Sequence, residues 1–263
     1  LMSLLTYFVV LLIILWAILF VAPADIYTES VLFFVSISYF QTSRAMAALQ
    51  EALSAKQSSL AKTILSQHAF SNTQRLSELG MTKYALEIQI NQWLSGLLVP
   101  LVLFLSLGGL AALCYALLAV VAKEWHCVNP SFAQFGRSAQ IANNLFDNVF
   151  MFLAYPILIV FKRCSGSLAH YRKLTNDKPD WQSFGALLAN ATVAAGCRCE
   201  MAGPLMVHDN NGREIKVARI RLNQSMPTPA NKIQELRHWL NGINCFLISL
   251  IVIFWLAGNL SAW

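Results

Sequence analysis

Charge is what this 263-residue chain has least of. Asp, Glu, Lys and Arg make up 12% of it and hydrophobic residues 57%, where soluble domains carry roughly 25% charged residues. The mean hydropathy is +0.53. These values exclude a disordered chain and argue against an ordinary cytosolic enzyme. Acids are scarcest, with 13 Asp and Glu in all, so few carboxylates can pair around a metal or divide acid and base roles. The chain also lacks G-x-x-x-x-G-K-[ST], G-x-G-x-x-G after a strand, and G-x-S-x-G, the usual marks of phosphate cradles and nucleophile elbows. Its six cysteines have no zinc-finger spacing: Cys114 and Cys245 lie in apolar runs, and Cys197 and Cys199 form a C-x-C with no second pair. The five histidines show neither H-x-x-x-H nor H-x-E. No metal site is expected from these residues. No basic stretch is interleaved with aromatics, so nucleic acid is not an expected partner.

What the chain has instead is long apolar runs, and these point to the lipid bilayer as its first partner. Residues 1–22 carry no charge, enough for one span. Ala22-Pro23-Ala24 looks like a cleavage site, but no basic residue precedes the run, and a signal peptide needs one. A span is the better reading. The chain begins at Leu1 rather than Met, which leaves room for a preceding piece. Residues 26–43, around Val31 to Phe40, read as a second and poorer span. Trp93 to Ala122 is an uncharged run of 30 residues. As one helix it would reach about 45 Å, beyond the ~30 Å hydrocarbon core. Gly108-Gly109 near its middle predicts either two short helices or one tilted helix. Residues 145–161 form a short span holding Asp147 and Pro156. Trp239 to Trp263 forms the last, with tryptophans at both ends suited to the interfaces. The expected fold class is all-α and polytopic: four to six membrane helices, amphipathic cytoplasmic helices and one small β-hairpin. The expected divisions are 1–43, 44–92, 93–161, 162–238 and 239–263.

Charge concentrates between these runs. Five Lys/Arg fall in 41–92, two in 123–144 and twelve in 162–238. The positive-inside rule puts 41–92 and 162–238 in the cytoplasm. The net charge of +6 is then a topology signal and an attraction to anionic headgroups. Met46, Leu49, Leu53, Leu60 and Ile64 recur at helical spacing. A second helix carries Leu76, Leu79, Leu86 and Ile90, with Ser71-Asn72-Thr73 as its expected cap. Leu205–His208 and Glu214–Val217 flank Asp209-Asn-Asn-Gly212 and read as a hairpin. Residues 231–240 form a helix leading into the last span.

Two polar clusters sit at span ends. In the first, Glu87, Asn91 and Ser95 follow i, i+4, i+8 along one helix face, accompanied by Gln89 and Gln92. In the second, Gln140, Asn143, Asn144, Asp147 and Asn148 occupy adjoining faces. A polar stripe running into a membrane span is costly unless it faces a bundle interior or a cavity. The stripes are therefore either ligand-facing or engaged in interhelical hydrogen bonds and capping.

The two clusters resemble the CobD/CbiB family of cobalamin biosynthesis, assigned as adenosylcobinamide-phosphate synthases. The family window A-I-E-S-V-A-E-N-T-V-D-G-V-V-A-P-L aligns with 85–101, where Ala85, Glu87, Gly96, Pro100 and Leu101 match. Tyr115, Phe135-Gly136 and the 141–148 segment follow at the family's spacing, and Gly203-Pro204 looks like its G-G-P. The resemblance covers roughly residues 41–258. It implies a bacterial inner (plasma) membrane protein that joins aminopropanol, or its phosphate, to a corrinoid carboxylate, using ATP and Mg²⁺. Glu87 takes the catalytic position. Gln89, Asn91, Gln92, Ser95, Asn143, Asn144 and Asp147 take the substrate-facing ones. Lys123, Arg137 and the basic 162–173 stretch become candidate phosphate contacts.

This chain also departs from the family. Family acids fall at Asn91, Ser95, Ala122, Asn143 and Asn144; of those in these motifs only Glu87 remains. An amide side chain brings no charge to a cation, so activity is expected to be eroded unless Asp147, Glu124 or Glu200 compensates. AmpE, a membrane protein linked to β-lactamase regulation, resembles the same family with eroded acids and shares the Ile90-Asn91 step. The resemblance thus implies either a divergent ligase or a non-catalytic sensor or scaffold. A single span over 93–122 would part the two polar clusters. A hairpin at Gly108-Gly109 would reunite them, and 145–161 would then have to be re-entrant.

Overall fold

A computed structural model describes residues 26–69, 73–125, 133–161, 164, 166–176, 183–208, 214–217, 219, 221–223 and 226–260. The expected first span, 1–22, and the 209–213 turn lie outside the described residues. The helices are α1 (Ile26–Ser36), α2 (Tyr39–Ser54), α3 (Ser58–Ser66) and α4 (Glu78–Trp93), a π-helical turn (Leu94–Leu98), then α5 (Val99–Leu107), α6 (Gly109–Glu124), α7 (Ala133–Phe161), α8 (Ser167–Asn176), α9 (Phe184–Gly196) and α10 (Asn231–Leu260). Between α9 and α10 lie β1 (Met201–Ala202), β2 (Leu205–His208), β3 (Glu214–Val217) and β4 (Arg221–Leu222).

The fold is mostly helical, and among the described residues three helices are long and apolar enough to cross a membrane: Glu78–Leu107, Gly136–Phe161 and Asn231–Ile253. The first begins at Glu78, well before the uncharged run, because α4 passes through the π turn into α5 without a break. The expected division at 92/93 therefore falls inside a helix, and the one at 43/44 falls inside α2. Residues 26–43 do not form one span. They break at Ile37-Ser38 into α1 and α2.

That break is explained by Pro100. Proline has no N–H to give the carbonyl four residues back, so Gly96 O needs another donor. The helix widens into a π turn, and Gly96 O accepts from Ser38 N at 3.1 Å. Gln92 Nε2 donates to Ser38 Oγ at 2.8 Å. Gly96 permits this approach: a Cβ there would lie 2.7 Å from Ser38 Oγ and 3.1 Å from Tyr39 N.

A second break divides the 93–122 run at Gly108, whose φ is +93°. Helix α6 then packs back along α5. The first amide of α6, Gly109 N, donates to the Glu29 carboxylate of α1. An acid at a helix N-terminus satisfies an orphan donor and complements the helix dipole. A Cβ on Gly109 would overlap the Glu29 carbonyl oxygen, with Glu29 Cα 3.1 Å away. Gly109→Ala is therefore expected to cost about 2 kcal/mol through overpacking. It should appear as a lower unfolding temperature of the detergent-solubilised protein; an unchanged temperature would refute the close packing of α1 on α6.

Helix α4 is capped by Ser77, whose Oγ accepts from Gly80 N at 3.2 Å, not by the expected 71–73 segment, of which Ser71 and Asn72 lie outside the described residues. The expected apolar faces hold in part. Met46, Leu49, Leu53, Leu86 and Ile90 are buried, whereas Leu60 and Leu79 are exposed and Ala61, Leu65 and Trp93 take inward positions. Trp93 Nε1 donates to Asn244 Oδ1 at 2.8 Å and ties α4 to α10. The hairpin forms at the expected strands, with Leu205 opposite Val217 and His208 opposite Glu214. It is extended by a second pairing, Met201 opposite Leu222.

Candidate functional site

The hairpin at Gly108 has a direct consequence for the polar clusters. It brings the end of α6 beside α4 and the first half of α7, and these surround one cavity of about 460 Å³. Glu87, Asn91, Gln92 and Ser95 line it from the α4 side, Lys123 and Glu124 from α6, and Asn143, Asn144 and Asp147 from α7. Lys123 and Glu124 are exposed, whereas Glu87, Asn143 and Asp147 are buried. The cavity thus has a charged rim and a buried polar floor.

Two expected residues lie elsewhere. Gln89 is fully buried and does not line the cavity. It is two residues from Glu87, about 200° around the helix, and it faces the Tyr39 hydroxyl instead. Arg137 is exposed on α7 and also lies off the cavity. Of the basic 162–173 stretch, Lys162 and Arg163 lie outside the described residues, and Arg172 is exposed.

Glu87 is not free. Arg219 Nη1 donates to its Oε1 at 2.7 Å and Nη2 to its Oε2 at 3.0 Å. The same guanidinium donates from Nε to Gly203 O at 2.9 Å, and Asn190 Nδ2 of α9 approaches Glu87 Oε1 at 3.5 Å. Burial alone would lower the Arg219 pKa, but the Glu87 carboxylate beside it raises it above the ordinary value. A planar guanidinium meeting a carboxylate at two points is the strongest form of this pair. Gly203-Pro204 aims the carbonyl, and the interruption between the two strand pairings lets Arg219 reach back to α4.

On α7 the amides divide between roles. Asn148 Oδ1 accepts from Gly185 N at 2.7 Å, so Asn148 caps the start of α9. Gln140 Nε2 donates to Asn144 Oδ1 at 3.0 Å, and Asn143 Nδ2 donates to Asp147 Oδ2 at 3.1 Å. At the rim, burial and then Lys123 hold the His68 imidazole below its usual pKa, so His68 is neutral at pH 7. Glu200 does not line the cavity; it pairs with Lys83 at 2.5 Å.

Sequence reasoning missed Arg219, Asn190, Ser38 and His68. Arg219 stands 132 positions from its partner, and no local pattern carries such a contact. The two polar stripes were the only signal of a site. Fold and cavity together define a helical protein with three membrane-crossing candidates among the described residues, two of which line a polar pocket. No family model matches the chain, and no curated protein or solved structure matches it.

Proposed function

We propose that this chain is a divergent membrane relative of the CobD/CbiB family whose cavity binds a small polar molecule without ligating it, after the manner of AmpE. The state of Glu87 supports this reading most directly. It stands at the one family acid position that is kept, and both its oxygens are engaged by Arg219. A carboxylate held this way serves neither as a base nor as a metal ligand.

ATP and Mg²⁺ do not fit these residues. Mg²⁺ is held through carboxylates and substrate phosphates, and among the described residues no three His, Cys, Asp or Glu side chains gather as a metal group would require. The cavity volume of about 460 Å³ lies in the range for ligands of drug size or below. A corrin macrocycle exceeds it, so a corrinoid would present one side chain there. In this reading the three candidate spans lie in a bacterial inner membrane.

The ligase reading is favoured by one observation: Asp147 and Glu124 share the cavity with Glu87. The test is made in cells lacking their own adenosylcobinamide-phosphate synthase. Well-expressed, membrane-inserted protein is expected to yield no amidated corrinoid by mass spectrometry. Product that disappears with Glu87→Ala would overturn the binding-only reading.

A further inference from the structure

Among the described residues lining the cavity, the charged side chains are Glu87, Asp147, Lys123 and Glu124. None of them offers an interior charge to a ligand. Glu87 is engaged at both oxygens by Arg219. Asp147 accepts from Asn143 at 3.1 Å and has the Tyr115 hydroxyl as a further hydrogen-bond partner. Lys123 and Glu124, of opposite sign and adjacent in the chain, are exposed at the rim. A charged ligand group carried inside would leave water for a place without a partner, which is costly.

Much of the remaining lining is uncharged and able to hydrogen-bond. Ser38, Asn91, Gln92, Ser95, Gln140 and Asn144 are half-buried and line the cavity. They come from the break between α1 and α2, from α4 with its π turn, and from α7. Gln92 gives one N–H to Ser38, and Gln140 gives one to Asn144. An amide has two N–H donors and an oxygen with two lone pairs, so both glutamines keep capacity to donate and to accept. Hydroxyl groups match such a lining, because each also donates and accepts. On α6 the wall is apolar, built from Ala116, Ala119 and Val120. A sugar ring has the same division, with hydroxyls around its edge and C–H bonds on its faces. The volume of about 460 Å³ suits a ligand of this small size.

We propose that the cavity binds an uncharged sugar. This rests on the binding-only reading above and names its ligand class. The test uses the full chain purified in a polyoxyethylene detergent, which carries no sugar head group. Binding is read directly, by equilibrium dialysis of radiolabelled glucose, galactose and sucrose, because sugars at high concentration stabilise folded proteins by exclusion from their surface. Glucosamine and glucuronate serve as the cationic and anionic counterparts. Saturable binding of one molecule per chain is expected for at least one neutral sugar, with both charged counterparts weaker by about tenfold or more. Ala119→Phe, which puts a ring into the cavity from its apolar wall, should abolish binding. Asn91→Ala should weaken it about fivefold, the loss of one neutral hydrogen bond. Should Ala119→Phe fail to fold, Asn91→Ala decides, because Asn91 is only half-buried: unchanged affinity overturns the site. Absence of saturable binding by all three neutral sugars also overturns it. Glucosamine or glucuronate binding as tightly as the neutral sugars overturns the ligand class while the binding-only reading stands. An amidated corrinoid in the cells described above overturns both.

Discussion

Arg219→Ala is expected to destabilise the protein by about 3–5 kcal/mol, the usual cost of stranding one partner of a buried ion pair. Both side chains are almost wholly enclosed, at 5% and 9% exposure. Removing the guanidinium leaves the Glu87 carboxylate with Asn190 as its remaining hydrogen-bond partner among the described residues, and it also takes from Gly203 O the Arg219 Nε donor. The unfolding temperature in detergent should fall by about 6–20 °C, taking roughly 2–4 °C per kcal/mol for a chain of this size. Glu87→Leu combined with Arg219→Met should recover most of the loss, because a buried pair replaced by apolar side chains of similar volume is often neutral. The two single variants and the double variant form a cycle that isolates the coupling. Additive losses would show that Glu87 and Arg219 do not act as a unit, and would remove the main support for a non-catalytic Glu87.

That pair also marks where the sequence stops being informative. The stripe Glu87, Asn91, Ser95 is legible because helical periodicity is local, and the structure sets all three on one cavity. The α7 stripe is legible for the same reason. Gln89, which only the family resemblance added to the stripe, lies off the cavity, as a residue two positions from Glu87 on a helix must face another way. The meeting of the stripes depends on one backbone event at Gly108. Two glycines in an apolar run announce a weak point, but which of two outcomes follows is decided elsewhere, by the Glu29 carboxylate seated on the first amide of α6. The π turn is of the same kind. Pro100 announces a missing donor, but the donor that replaces it, Ser38 N, lies 58 positions before the acceptor Gly96 and is visible only once α1 and α2 part. Composition pointed to helices long and apolar enough to cross a membrane; only tertiary contact could identify Arg219.

Gly185→Ala tests the other support of the cavity and should be among the most damaging of the small substitutions. A Cβ on Gly185 would overlap the Asp147 carbonyl oxygen and lie 2.6 Å from its carbon and 3.0 Å from Asn148 N. These are backbone atoms of a continuous helix, so no rotamer change relieves the clash. Helix α9 must withdraw from α7, and the bond from Gly185 N to Asn148 Oδ1 is lost with it. The cost is expected at the upper end of the ~1–3 kcal/mol of overpacking. Asn148→Ala removes the same hydrogen bond without the clash and should cost only about 1 kcal/mol. Gly242→Ala, on α10 with nothing within 4 Å of its new Cβ, should be neutral or stabilising by up to about 1 kcal/mol, the helix preference for alanine. The ordering of three unfolding temperatures therefore separates the loss of space from the loss of a cap. Equal temperatures for Gly185→Ala and Gly242→Ala would mean that α9 does not press on the backbone of Asp147.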